Sequence, residues 1–123
     1  MTKQSRHTYA ETIAKLSEAI TSAGNTIFTI IDQSAAASSV GQTLRPTSLI
    51  VFGNPKGGTP LMNAFPLVAL ELPLKFLVWD EAGNVQVAFV PMSHIAARYG
   101  VTGMDAQVAA MDGALSKLSD AIV

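Results

Sequence analysis

The residues of this chain whose types permit chemistry are few and widely spaced. His7 and His94 are the only imidazoles, Lys56 lies in Gly53-Asn-Pro-Lys-Gly-Gly-Thr59, and Lys75 is set in Leu72-Pro-Leu-Lys-Phe-Leu-Val78. Acid–base catalysis by histidine would have to run through His94 or His7. Neither stands in a zinc-type motif, and Asp32, Asp80 or Glu81 would become further ligands only if folding brought them together, so no metal or other cofactor is expected. Cysteine is absent, which excludes disulfides, thiolate metal sites and cysteine nucleophiles. Ser34, Ser38 and Ser39 lack a G-x-S-x-G elbow, which leaves a hydrolase nucleophile without support.

The stretch Leu49-Ile-Val-Phe-Gly-Asn-Pro-Lys-Gly-Gly-Thr-Pro-Leu-Met62 reads as a buried strand, a tight turn and the start of a helix. Gly53 and Gly58 share the spacing of the two Walker A glycines. Thr59 and Pro60 stand where lysine and serine or threonine are required, so a nucleotide loop is excluded. A weaker anion site remains, in which Lys56 and the backbone amides of Gly57, Gly58 and Thr59 converge on a carboxylate, sulfate or phosphate. The competing reading is a plain turn with Lys56 in solvent.

On the anion reading, the site is a cleft between the Asn54–Thr59 turn and the helix bearing His94 and Arg98. Asn54 and Thr59 would orient a small ligand and Met62 would cover its apolar part. One rival is an enzyme in which His94 or Lys75 is the base and Lys56 stabilises negative charge. Another is a structural module whose dimer interface is its whole function. Lys75 is read as snorkelling to a sheet edge in preference to lying in a pocket with a lowered pKa.

The elements that must carry these residues follow from pattern. Thr8-Tyr-Ala-Glu11 is a capping box, and Tyr9, Ile13, Leu16, Ile20 and Ala23 form one helical stripe that Gly24-Asn25 ends. Thr26–Asp32 is a strand whose Ile27, Phe28, Ile30 and Ile31 suggest burial on both faces. Alanines in Gln33–Val40 allow a short helix, and Thr47–Phe52 returns to strand. Thr59-Pro60 predicts an N-cap and first helical residue, with Pro66 breaking that helix and Pro73 ending a second piece. Lys75–Asp80 and Val85–Val90 form a hairpin around Glu81-Ala-Gly-Asn84. Pro91–Gly100 fits a short helix. A last helix opens at Thr102 or Asp105, with Met104, Val108, Met111, Leu115, Leu118 and Ile122 in its stripe. This order suits α+β: a single two-layer domain over residues 1–123, with a mixed or antiparallel sheet and helices packed on one face.

With 49% hydrophobic and 14% charged residues and a mean hydropathy of +0.34, the chain of 123 residues has apolar surface to spare, which points to self-association as a homodimer. Eight basic against nine acidic residues, without a basic run, argue against a nucleic-acid partner. The apolar stretch Leu61–Val78 is interrupted by Pro66, Glu71, Pro73 and Lys75, so no membrane span is expected. The polar start lacks a signal-peptide core, and a cytoplasmic location is the expectation.

Four motifs, Leu44-Arg-Pro-Thr47, Phe52-Gly-Asn-Pro-Lys56, Gly58-Thr-Pro-Leu-Met62 and Leu72-Pro-Leu-Lys75, together with Arg6–Ile13, Phe28–Asp32 and Ala96–Gly100, resemble the DUF302 family of small α+β domains. The resemblance implies that fold, a dimer, a short first strand within residues 1–6, and a family pattern centred on Asn54, Pro55 and Lys56. It implies no reaction. Relatives carry histidine after the aspartate matching Asp32, where this chain has Gln33; a family role for that histidine would not transfer here.

Overall fold

The computed structural model describes residues 1–123. β1 (Thr2–Gln4) leads to α1 (Tyr9–Ser22), where the Thr8 hydroxyl accepts the Glu11 amide and the Glu11 carboxylate accepts the Thr8 amide, closing the expected capping box. β2 (Thr26–Asp32) runs into α2 (Gln33–Ser39), with Asp32 as its N-cap. β3 (Thr47–Gly53) and α3 (Pro55–Ala64) follow, then a 3₁₀ turn over Pro66–Leu70 and the hairpin of β4 (Leu74–Glu81) and β5 (Asn84–Ala88). α4 (Met92–Arg98) and α5 (Asp105–Ser119) complete the order, with a final 3₁₀ turn at Asp120–Ile122.

The five strands form one wholly antiparallel sheet in the order β1-β5-β4-β3-β2. Period-two alternation decides its inner face: Ser48, Ile50 and Phe52 of β3 are buried while Thr47, Leu49 and Val51 are half-buried. Ile50 lies opposite Phe76 and Phe52 opposite Leu74. Phe52 and Phe76 stack with centroids 4.9 Å apart, and Phe89 meets Phe76 edge-on at 5.7 Å. α1 packs against β2, β3 and β4, and it touches α5, which also carries α3 and α4. The core therefore sits between the sheet and this helix layer, with Leu16, Ile20, Leu115, Leu118 and Ile122 facing the strands. Buried hydroxyls are paired: Ser5 Oγ with Thr12 Oγ1 at 2.7 Å, and Ser48 Oγ with Tyr9 Oη at 2.6 Å.

Four expectations are corrected. The hairpin turns on two residues, Ala82 and Gly83, both at positive φ, because that backbone matches the twist of the flanking strands. β2 is not buried on both faces: as the edge strand it leaves Phe28, Ile30 and Ile31 exposed by 52%, 42% and 40%. Lys75 is not at a sheet edge, since β4 lies between β5 and β3. The helix after β3 begins at Pro55 and not at Pro60, which becomes an interior residue.

Candidate functional site

Asn54 explains the early start of α3. Its side-chain oxygen accepts the Lys56 amide at 3.0 Å, and its carbonyl accepts the amides of Gly57 and Gly58 at 3.0 and 3.1 Å. Pro55 occupies the first helical position, where no amide hydrogen is needed. The donors that the turn was expected to aim at an anion are thus consumed by the helix itself. Thr59 is a helical residue and not a cap, and Lys56 is exposed in the first turn. Two glycines inside a helix hid this start from the sequence pattern, because glycine there is unfavourable by propensity.

Beside this helix start lies a hollow of about 140 Å³. Phe28 of β2, Met62 of α3, Met111 of α5, and Leu72, Pro73 and Leu74 ahead of and in β4 supply its apolar walls. Asn54 and Thr59 are its only polar side chains, while Gly53, Pro55 and Gly58 complete the lining. None of the lining side chains titrates. An apolar cavity of about 150 Å³ accommodates benzene, so this volume matches a single ring or a short aliphatic chain. Of the residues anticipated from sequence, Asn54, Gly58 and Thr59 line the hollow. Lys56 and Gly57 stand beside it in the same helical turn, outside the lining.

His94 and Arg98 are placed elsewhere. His94, exposed on α4, borders a separate depression with Phe89, Ser93, Asp112 and Ser116. Asp112 accepts the backbone amides of Met92 and Ser93 and so holds the start of α4. Arg98 donates to Glu71 at 3.2 Å, and the Tyr99 hydroxyl donates to the same carboxylate oxygen at 2.8 Å. The Tyr99 hydrogen bond, aided by the Arg98 guanidinium, lowers the Glu71 carboxyl below its ordinary value. The same bond raises the Tyr99 phenol. Lys75 Nζ donates to the carbonyls of Glu71 and Pro73, each at 2.8 Å, and burial lowers its ammonium below the usual lysine range. Glu71 therefore links α4 to the segment that walls the hollow. Sequence reasoning missed both Glu71 and Asp112, whose partners are 27 and 20 residues away, and nothing local marks either.

The architecture defines a small α+β domain with one sheet, one helix layer and an apolar hollow at the β3–α3 junction. The chain belongs to the DUF302 family: the family model described as "Domain of unknown function DUF302" matches residues 1–122. A crystal structure of an uncharacterized conserved DUF302 protein from Bacillus stearothermophilus superposes with a TM-score of 0.92 at 18% identity, covering 100% of this chain and 97% of that one, which shows the shared fold. Among curated proteins, the chain is 37% identical over 110 residues to "Fluoride-specific ion channel FluC 1" of Brucella suis, covering 89% of this chain and 43% of the relative. A FluC 1 protein of Brucella abortus matches at the same identity and is covered to 40%. The chain thus spans less than half the length of these relatives, and none of its own helices is long and apolar enough to cross a membrane.

Proposed function

We propose that this domain is a homodimeric binding module that holds a small molecule with an apolar body and an anionic head. The observation that carries the reading is a hollow whose walls are apolar, whose rim offers Asn54 and Thr59, and whose lining contains no proton-transfer group. Binding is favoured over catalysis because acid–base chemistry requires a titratable side chain within reach of the substrate, and His94 and Lys75 lie outside this lining. Lys56 is the cation adjacent in sequence to the lining residues Asn54 and Pro55, exposed in the first turn of α3. The anionic head rests on Lys56 and the apolar body lies against Met62, Leu72 and Phe28.

Thermal-shift titration with benzoate and with butyrate to octanoate tests this. At ten times the dissociation constant a ligand adds about 1.4 kcal/mol, a shift of roughly 5 °C for a domain of this size. The uncharged alcohols of equal chain length and the Lys56→Ala variant are expected to give smaller shifts. Equal responses of parent and variant to every carboxylate would remove Lys56 from the reading.

A second reading is an accessory domain that serves an anion channel, favoured by the similarity to the Brucella proteins named as fluoride-specific ion channels. It predicts that cells expressing such a channel become more fluoride-sensitive when this chain is deleted. Unchanged sensitivity would rule it out.

A further inference from the structure

The register between β2 and β3 breaks once. Ile27 pairs with Phe52 and Thr29 with the adjacent Val51, so Phe28 is an extra residue without a partner on β3. A bulge of this kind releases one side chain from the alternation of its strand, and bulges recur next to active sites because they re-aim that side chain. Here the released side chain goes to the hollow at the β3–α3 junction, of which Phe28 is a wall. A Cβ placed on Gly53, another lining residue, would meet Phe28 Cε2 at 3.8 Å, so the ring lies against bare backbone. Phe28 nevertheless stays 52% exposed. The two aromatic pairs of the domain, Phe52 with Phe76 and Phe76 with Phe89, do not include it, which leaves its ring open to a guest.

We infer that Phe28 is the specificity-determining wall of the hollow and selects a flat aromatic ring over a saturated ring or an open chain of similar size. This rests on the binding reading of the hollow and names the chemical class of the apolar body. The volume of about 140 Å³ is close to that of an apolar cavity that takes up benzene, roughly 150 Å³, so one six-membered ring fills it. Much of the lining is rigid: Gly53 and Gly58 present backbone, and Pro55 and Pro73 present closed rings. Such walls do not fold around a flexible chain, and an open chain gives up rotamer freedom on entry that a ring does not have to lose. A saturated ring shares that advantage, so the choice between the two kinds of ring falls to the groups that interact with a π system. Phe28 supplies an aromatic partner, and Met62 and Met111 bring two thioethers into the same lining. Both kinds of contact attract an aromatic guest beyond the area it buries.

Titration calorimetry with benzoate, cyclohexanecarboxylate and hexanoate, three acids of equal charge, tests this. The parent should bind benzoate about two- to tenfold more tightly than cyclohexanecarboxylate, the range of one aromatic contact, and hexanoate most weakly. Phe28→Leu keeps an apolar side chain at an exposed position and should bind the two ring acids equally, with its affinity for cyclohexanecarboxylate unchanged. Phe28→Tyr, which keeps the ring, should retain the preference. In proton NMR of the parent, benzoate should shift the Met62 and Met111 methyl resonances through its ring current, and cyclohexanecarboxylate should not. If Phe28→Leu fails to fold, unmoved methyl resonances in a parent that binds benzoate still overturn the inference. Binding of benzoate no tighter than that of either saturated acid, or a preference that survives in Phe28→Leu, overturns selection by Phe28 and leaves the binding reading standing. Failure of the parent to bind any of the three acids overturns both.

Discussion

Asp112, in the middle of α5, caps α4 by accepting the backbone amide of Met92, although Met92 is 20 residues away. α4 needs this, because Pro91 stands at its N-cap position without a capping side chain. A side-chain cap replaced by alanine costs about 0.5–2 kcal/mol. Asp112→Ala should therefore lower the melting temperature by roughly 2–7 °C, and Asp112→Asn, which keeps an acceptor oxygen, should recover most of it. Scanning calorimetry on the three proteins checks this, and equal losses for Ala and Asn would show that the carboxylate charge matters more than the hydrogen bond.

Glu71 provides a pH signature. Its folded pKa is depressed below the ordinary 4.5, chiefly by the Tyr99 hydroxyl and next by Arg98. Between the folded pKa and 4.5 the unfolded chain binds more protons, so stability from this group is complete above 4.5 and is lost as pH falls through the folded pKa. Tyr99→Phe should be less stable than the parent near neutral pH, and the difference should shrink on acidification. Urea melts at a series of pH values report the gap, and carboxyl-carbon NMR of Glu71 should show its pKa rising in the variant. A gap independent of pH would assign the loss to packing of the ring.

How far the sequence could be read depends on the range of the interaction. The capping box at Thr8 and Glu11, the alternation of β3 and the stripe through Leu115, Leu118 and Ile122 are local, and each is found in the fold. The β2 strand was legible as a strand but not as an edge, because Ile27-Phe-Thr-Ile-Ile31 has the same composition whether a neighbour lies on one side or two. The sequence pattern sets the start of α3 five residues late because Asn54, acting through both its side chain and its carbonyl, overrides the poor propensity of Gly57 and Gly58. Of the candidate site, the turn residues Asn54, Gly58 and Thr59 were legible, while Phe28, Leu72 and Met111 come from elements that only tertiary packing brings together.

Lys75 gives the opposite electrostatic case. Burial lowers its folded pKa below 10.5, with the Glu71 charge opposing that shift. Between the folded pKa and 10.5 the native state has already released a proton that the unfolded chain still holds, so the contribution of this group to stability increases with pH across that window. Compared with Lys75→Met, the parent should gain relative stability as pH rises through the folded pKa towards 10.5. Paired thermal melts test this. A constant difference would mean that the two carbonyl bonds, to Glu71 and Pro73, offset burial and leave the folded and unfolded pKa equal.

Gly57 and Gly58 allow stability and binding to be separated at the proposed site. Both are interior residues of α3, and neither has positive φ. Alanine at either position should stabilise the helix by about 0.5–1 kcal/mol, since glycine there loses more backbone entropy on folding. A Cβ at Gly57 meets nothing within 4 Å, whereas one at Gly58 meets Met62 Cε at 3.6 Å and Leu72 Cδ1 at 3.8 Å, ordinary contacts that fill part of the hollow. Gly57→Ala should therefore melt higher and bind carboxylates as the parent does, while Gly58→Ala should melt higher and bind them severalfold more weakly. Titration calorimetry alongside thermal melts reads both quantities. If Gly58→Ala gained stability without losing affinity, the ligand would have to bind outside this hollow, because no reagent that enters it can avoid a methyl group placed between Met62 and Leu72.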